Sequence, residues 1–151
     1  MVKEISTDKI WEILETIPDP EIPEISIVDL GIIRDVQYTD DKFAVTITPT
    51  YSGCPAMSFI KKEIIHHLEL QGVMNYQIET SLVPPWTTNW MSNETKAKLK
   101  DAGIAPPSNN IICPLCNSIA IEVISDFGST ACKALYKCNK CNEPFHHFKQ
   151  F

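Results

Sequence analysis

The 151-residue sequence has no surplus of basic residues: 13 Lys and Arg stand against 19 Asp and Glu, a formal net charge of −6. The imbalance is uneven. Residues 1–105 carry 16 acids and 9 bases, net −7, whereas residues 106–151 carry 3 acids and 4 bases, net +1. Neither part offers the basic face that a phosphate backbone requires, which argues against a nucleic-acid partner. Long apolar runs are also missing, so no membrane-spanning helix and no membrane partner are expected. The opening MVKEISTDK lacks the apolar core of a secretory signal, and the expected location is the cytoplasm. Cysteine is almost absent from the first hundred residues, where Cys54 stands alone. In a reducing compartment, the later Cys-x-x-Cys pairs suggest metal or redox chemistry rather than disulfides.

What is present has the composition of a globular chain, 44% apolar and 21% charged. Ile10, Ile13, Leu14 and Ile17 recur at helical spacing in DKIWEILETI, with Thr7 or Asp8 as the expected cap and Pro18 as the stop. PDPEIPEISIVDLG then gathers Asp19, Glu21, Glu24 and Asp29 into an acidic loop too rich in proline for helix. Residues 31–38 and 43–48 read as strands of an antiparallel hairpin turning at Asp40-Asp41. Residues 55–71 form a second helix, with Met57, Ile60, Ile64 and Leu68 on one face and Gly72 as its terminator. A third strand is expected around Tyr76–Val83, and a Trp-rich link (Trp86, Trp90) leads to a short helix near Asn93–Ala102. Gly103 and Pro106-Pro107 mark a boundary. The expected architecture is α+β: a small two-layer sandwich in αββαβα order over residues 1–105, followed by a ribbon over 106–151.

Cys113-Pro-Leu-Cys116 and Cys138-Asn-Lys-Cys141 are two knuckles separated by 21 residues. Tetrahedral Zn²⁺ takes four thiolates, two from each tight turn, held about 3.5–4 Å apart. A segment of about 46 residues is too small for an independent core, and metal ligation supplies the missing folding free energy. A structural zinc site at Cys113, Cys116, Cys138 and Cys141 is therefore expected. A rubredoxin-type iron site and a dithiol pair are the rivals. Four thiolates leave no open position on zinc, so the ribbon should not catalyse. Cys132 is an additional thiol outside this set, read as a small buried residue or as a thiol facing a partner. His146 and His147 read as surface or packing histidines.

Cys54 precedes Pro55, a residue suited to a first helical turn, so the thiol should sit at or beside a helix N-terminus, where the dipole favours thiolate. Thr50, Tyr51 and Ser52 could add hydroxyl hydrogen bonds. Local chemistry leaves four readings open: nucleophile, redox thiol, metal ligand, or a small residue closing a turn. No base stands near, since His66 and His67 lie about three turns along the helix, which counts against a Cys–His pair. Asp19, Glu21 and Asp29 would be hard ligands if the acidic loop folded towards the thiol.

DPEIP, VDLGII and PTYSGCPAM resemble the small domain of iron–sulfur assembly proteins. With CPLCNS and FGSTACKALYKCNKCNEPFHHFK added, nearly the whole chain resembles the PaaD family, which accompanies the bacterial phenylacetyl-CoA ring-epoxidising oxygenase. The resemblance implies an accessory role in maturing a metal centre, with oxygenase and reductase subunits as partners and no catalysis by the chain itself. It implies that Cys54 is the functional thiol, a transient ligand for iron or an iron–sulfur cluster. Asp19, Glu21 and Asp29 are then the matching acidic residues, and Thr50 supports the thiol. A homodimer would bring two such thiols to one cluster. The alternatives are a non-catalytic docking module and a thiol-dependent enzyme using Cys54. The chain departs from its relatives in ending FHHFKQF, without a terminal cysteine.

Overall fold

A computed structural model describes residues 5–50 and 56–150. Elements follow in the order α1 (Thr7–Glu15), β1 (Ile33–Thr39), β2 (Lys42–Ile47), α2 (Ala56–Leu70), β3 (Tyr76–Thr80), a 3₁₀ turn (Thr88–Trp90), α3 (Asn93–Asp101), β4 (Ile104–Ala105), β5 (Ile121–Ser125), β6 (Lys133–Cys138) and β7 (Pro144–Phe148). This is the expected α+β order. The chain divides into two units between Trp86 and Thr87. The Pro106-Pro107 pair, where the sequence marks a boundary, lies inside the second unit. The reason is β4, which pairs in parallel with β7 and so belongs to the ribbon's sheet.

In the first unit, α1 begins one residue earlier than its periodicity predicts. Its cap is Ser6, whose hydroxyl accepts from the Lys9 N–H at 3.3 Å, rather than Thr7 or Asp8. Ile10, Ile13 and Leu14 are buried on one face of this helix, and Ile60, Ile64 and Leu68 on one face of α2. Each such side chain contributes about 1.5–3 kcal/mol by leaving water. The helix α2 ends at Leu70, and Gly72, two residues on, adopts φ +83°.

The sheet runs β1-β2-β3. Asp40 and Asp41 both have positive φ, 52° and 61°, the conformation a two-residue hairpin turn demands. Strict alternation buries Phe43, Val45 and Ile47 of β2. In β1 the buried residues are Ile33 and Val36, an odd spacing for a strand. A bulge between Ile33 and Asp35 inserts one residue and restores the phase. The third strand lies parallel to β2, from Phe43↔Tyr76 to Ile47↔Thr80. The helix α2 makes that parallel return possible, because a crossover needs a dozen or more residues.

The second unit carries a four-stranded sheet in the order β4-β7-β6-β5. Around the knuckles, Ala105, Cys113, Cys138 and Phe145 form a buried cluster, with Ile111, Ile121 and Tyr136 packed against it. Two of the four residues in this cluster are cysteines, so its packing depends on the knuckles, while Leu99, Ala134 and Phe148 are also buried in the unit.

Candidate metal centre

Each knuckle is folded by the same pair of backbone bonds. In the first, Asn117 N–H donates to the Cys113 carbonyl at 2.9 Å and Cys113 N–H to the Ser118 carbonyl at 3.0 Å. In the second, Asn142 N–H donates to the Cys138 carbonyl at 2.9 Å and Cys138 N–H to the Glu143 carbonyl at 3.0 Å. Both turns pass through an asparagine with φ near +60°, 62° at Asn117 and 63° at Asn142. Asparagine tolerates this left-handed conformation better than other residues with a β-carbon. Sequence pattern alone did not single out these asparagines, although both motifs read Cys-x-x-Cys-Asn.

The β5–β6 hairpin brings the two knuckles together. The four Sγ atoms of Cys113, Cys116, Cys138 and Cys141 lie within 4.8 Å of one another. Cys113 and Cys141 are 3.8 Å apart, and Cys116 and Cys138 are 3.5 Å apart. A tetrahedron with metal–sulfur bonds of about 2.3 Å has edges of about 3.8 Å, so the donor set fits a tetrahedral soft-ligand ion. The Cys141 N–H, which points at Cys138 Sγ from 3.5 Å, is the largest influence drawing the Cys138 thiol down to about 6, with the Lys140 N–H assisting. The Glu143 N–H favours ionisation of Cys141, but burial and the neighbouring sulfurs prevail and push that thiol up to about 12. A cation at the centre removes this conflict, because it allows neighbouring sulfurs to remain thiolates together.

Among the described residues, these cysteines form the only group of three or more metal-ligating side chains. Cys132 stands outside it. The residue is 3% exposed and its sulfur lies 3.0 Å from Thr130 Oγ1, so it is a buried thiol rather than one facing solvent. His147 is buried and His146 half-buried, both on β7, a strand that the sequence pattern did not predict.

The expected thiol site is described at its flanks. Cys54, with Tyr51, Ser52, Gly53 and Pro55, lies outside the described residues. Thr50 is half-buried immediately before that segment, and α2 starts immediately after it. The acidic loop is well defined. Asp19 is buried, and its Oδ1 accepts from the N–H groups of Glu21 and Ile22, both at 2.9 Å. Asp29 and Ser26 cap each other: Ser26 N–H donates to Asp29 Oδ2 at 3.1 Å, and Asp29 N–H to Ser26 Oγ at 2.9 Å. Both carboxylates thus shape loop backbone.

The loop enters β1 at the edge of the sheet where β2 leaves it. Ile33 pairs with Ile47, and Thr48 N–H donates to the Ile32 carbonyl at 2.8 Å. Ser81 N–H donates to the Ile47 carbonyl at 2.8 Å, so the parallel strand β3 ends there too. The histidines do not share this edge. His66 is the eleventh residue of α2, about 15 Å along the helix from its start. The ring of His67 lies against the Glu63 carbonyl, with Nδ1 at 2.8 Å.

Fold and site together define an iron–sulfur-assembly-type domain joined to a four-cysteine ribbon. Residues 7–79 match the family described as iron-sulfur cluster assembly protein, and residues 101–149 match the PaaD zinc beta ribbon domain. The chain is 42% identical over 150 residues to an Escherichia coli K12 protein named as a candidate component of 1,2-phenylacetyl-CoA epoxidase, covering 93% of this chain and 91% of that one. The chain belongs to the PaaD family. It is also 36% identical over 94 residues to an Fe-S protein maturation auxiliary factor of Porphyromonas gingivalis, covering 61% of this chain and 89% of the relative. A crystal structure of a DUF59 domain from Bacillus anthracis matches 62% of this chain and 90% of its own, with TM-score 0.56 and 29% identity. A conserved hypothetical protein of Thermotoga maritima matches 66% of this chain and 98% of its own, with TM-score 0.55 and 29% identity. No helix among the described residues is long and apolar enough to cross a membrane.

Proposed function

We propose that the chain is an accessory factor that matures or maintains a metal centre of a phenylacetyl-CoA ring-epoxidising oxygenase system in the cytoplasm. Cys54 is the transient ligand for iron or an iron–sulfur cluster. Asp19, Glu21, Asp29 and Thr50 support it, and the oxygenase and reductase subunits are the partners. Cys113, Cys116, Cys138 and Cys141 hold structural zinc, which closes the knuckles and brings no chemistry beyond that. The unit Met1–Trp86 acts as the assembly domain and the unit Thr87–Phe151, through its ribbon, as the docking part, and a homodimer supplies two copies of Cys54.

The observation carrying this reading is the 2.8 Å bond from Thr48 N–H to the Ile32 carbonyl. It ties the end of β2, three residues before the Cys54 segment, to the end of the acidic loop, at the carboxyl ends of two parallel strands. Ligands of open α/β sheets gather at such edges. His66 stands about 15 Å along α2 from the helix start, which counts against the thiol-enzyme reading.

The test is anaerobic purification of wild type and Cys54→Ser, with zinc and iron measured per chain. One zinc in both proteins, and iron or a visible cluster spectrum in wild type alone, is the expected result. Equal oxygenase iron content and activity in cells carrying either form would refute the role of the thiol. A docking-only role is the second reading, favoured by the exposed apolar side chains Ile119, Val123, Ile124 and Phe127 on the ribbon. It predicts that Cys54 is dispensable.

A further inference from the structure

Three pieces of the second unit meet at one cleft. Lys100 stands in the last turn of α3, and Gly103, at φ +81°, turns the chain out of that helix into β4. Ala105 is fixed on β4 by its pairing with His147. The link from Pro106 to Ile112 then carries the chain into the first knuckle at Cys113. Between the helix end, the link and the knuckle lies a cleft of about 320 Å³. That is the lower end of the range for small-ligand sites, roughly 300–1,000 Å³. Ala105 and Cys113, both buried, line it together with Pro106, Pro114 and Ile112.

The polar part of the lining consists of donors. Lys100, Ser108, Asn110 and Asn117 complete the cleft, and no acidic side chain among the described residues lines it. The Lys100 ammonium makes no ion pair and no side-chain hydrogen bond among the described residues, and neighbouring Asp101 does not pair with it. The side-chain amides of Asn110 and Asn117 are likewise without partners there. Ser108 Oγ accepts from the Asn110 N–H at 3.0 Å, which leaves its own proton to donate. An ammonium, two amide NH₂ groups and a hydroxyl can thus all donate to one ligand. Such a set selects an anionic oxygen. A small hydrated ion would lose water against the apolar lining and gain nothing from it. The anion must therefore carry an apolar body.

We propose that this cleft is a binding site for a carboxylate attached to a compact apolar body, an aryl or branched alkyl group. The carboxylate meets Lys100 and the amide donors, and the apolar body covers Ala105, Cys113 and Ile112. Lysine acts there as a point charge, and the amides add direction. Lys100 is exposed in the free chain, so its charge costs nothing until a ligand covers it. The site makes no use of Cys54 and takes no part in metal delivery. Two sources share the ligand chemistry: a free carboxylic acid and the terminal residue of a polypeptide.

The experiment titrates the full-length, metal-loaded chain with phenylacetate, which has both parts, and separately with benzyl alcohol and with acetate, which have one each. The amides of Ala105, Ile112 and Asn117 are followed by NMR at constant ionic strength. A saturable shift with phenylacetate is expected. Affinity should be about fivefold or more weaker for benzyl alcohol, for acetate, and for phenylacetate on Lys100→Met. Lys100 is exposed and unpartnered, so that variant should keep the metal content and the ribbon spectrum of wild type. N-acetyl-L-phenylalanine is the second acid tested. Binding as tight as phenylacetate or tighter assigns a polypeptide terminus, and weaker binding assigns a free acid. No saturable shift with either acid, equal affinity for benzyl alcohol or acetate, or undiminished binding by Lys100→Met would each overturn the proposal. The wild-type comparison of probes decides even where the variant fails to fold.

Discussion

The indole Nε1–H of Trp86 donates to the carbonyl oxygen of Leu30 at 2.9 Å, a buried bond between residues 56 positions apart. It fastens the last residue of the first unit to the acidic loop, one residue after Asp29. Trp86→Phe keeps most of the ring volume and leaves the Leu30 carbonyl without this donor. A loss of about 1–3 kcal/mol in the urea unfolding free energy of the first unit is expected. Faster amide exchange at Leu30, Gly31 and Ile32 would locate the effect. An unchanged midpoint and unchanged exchange would show that the bond contributes nothing.

Chelation should separate the two units. With two of the four buried residues in the cluster around the knuckles being thiol ligands, removal of the metal takes away both the ligation and the packing it organises. NMR signals of β5, β6 and β7 should collapse on strong chelation, while those of α1, α2 and the β1-β2-β3 sheet persist. Cys113→Ser should reproduce this without chelator, with zinc per chain falling from one towards zero.

The two left-handed asparagines make a finer prediction. Asn142→Ala places a plain β-carbon at φ 63°, at a cost of about 1–2 kcal/mol. Metal affinity should fall by about five- to thirtyfold, as competition with a chromophoric chelator would report. Asn142→Gly should bind nearly as wild type. Equal affinities for the alanine and glycine variants would remove the conformational explanation.

Acid should weaken the ribbon. Burial lowers the proton affinity of His147 from its ordinary value of 6.5, with only partial opposition from its hydrogen bond to the Pro106 carbonyl, and the buried Nε2 has no partner. The unfolded chain takes up a proton near pH 6.5 that the folded chain refuses. The contribution to stability is therefore complete above that pH and declines as pH falls below it. Chemical denaturation at pH 7.5 and 5.5 should show lower stability at 5.5. His147→Phe should flatten the difference relative to wild type, which isolates the imidazole from thiolate protonation.

Much of the fold was legible because its signals are local. The 3.6-residue period of Ile60, Ile64 and Leu68, the Asp40-Asp41 turn and the alternation of Phe43, Val45 and Ile47 each reside within one element. The paired knuckles were legible because thiol spacing is itself a geometric statement. Non-local features were harder to read. The pairing of β3 beside β2 depends on how far α2 carries the chain, and β4 is only two residues long, too short for any period. The strand β7 was obscured by His146 and His147, polar residues that the sheet nonetheless covers to different degrees. Composition also does not reveal that Asp19 and Asp29 each accept bonds from loop N–H groups.

The four cysteines are not equally sheltered: Cys113 and Cys138 are fully buried, whereas Cys116 and Cys141 are half-buried. A metal held there has a front and a back. Oxidants, chelators and competing ions must approach through the second cysteine of each knuckle, while the first remains sealed in the core. Loss of metal then has a direction, starting at Cys116 or Cys141. The lifetime of the ion is governed by how often those two thiolates let go before the buried pair recaptures it.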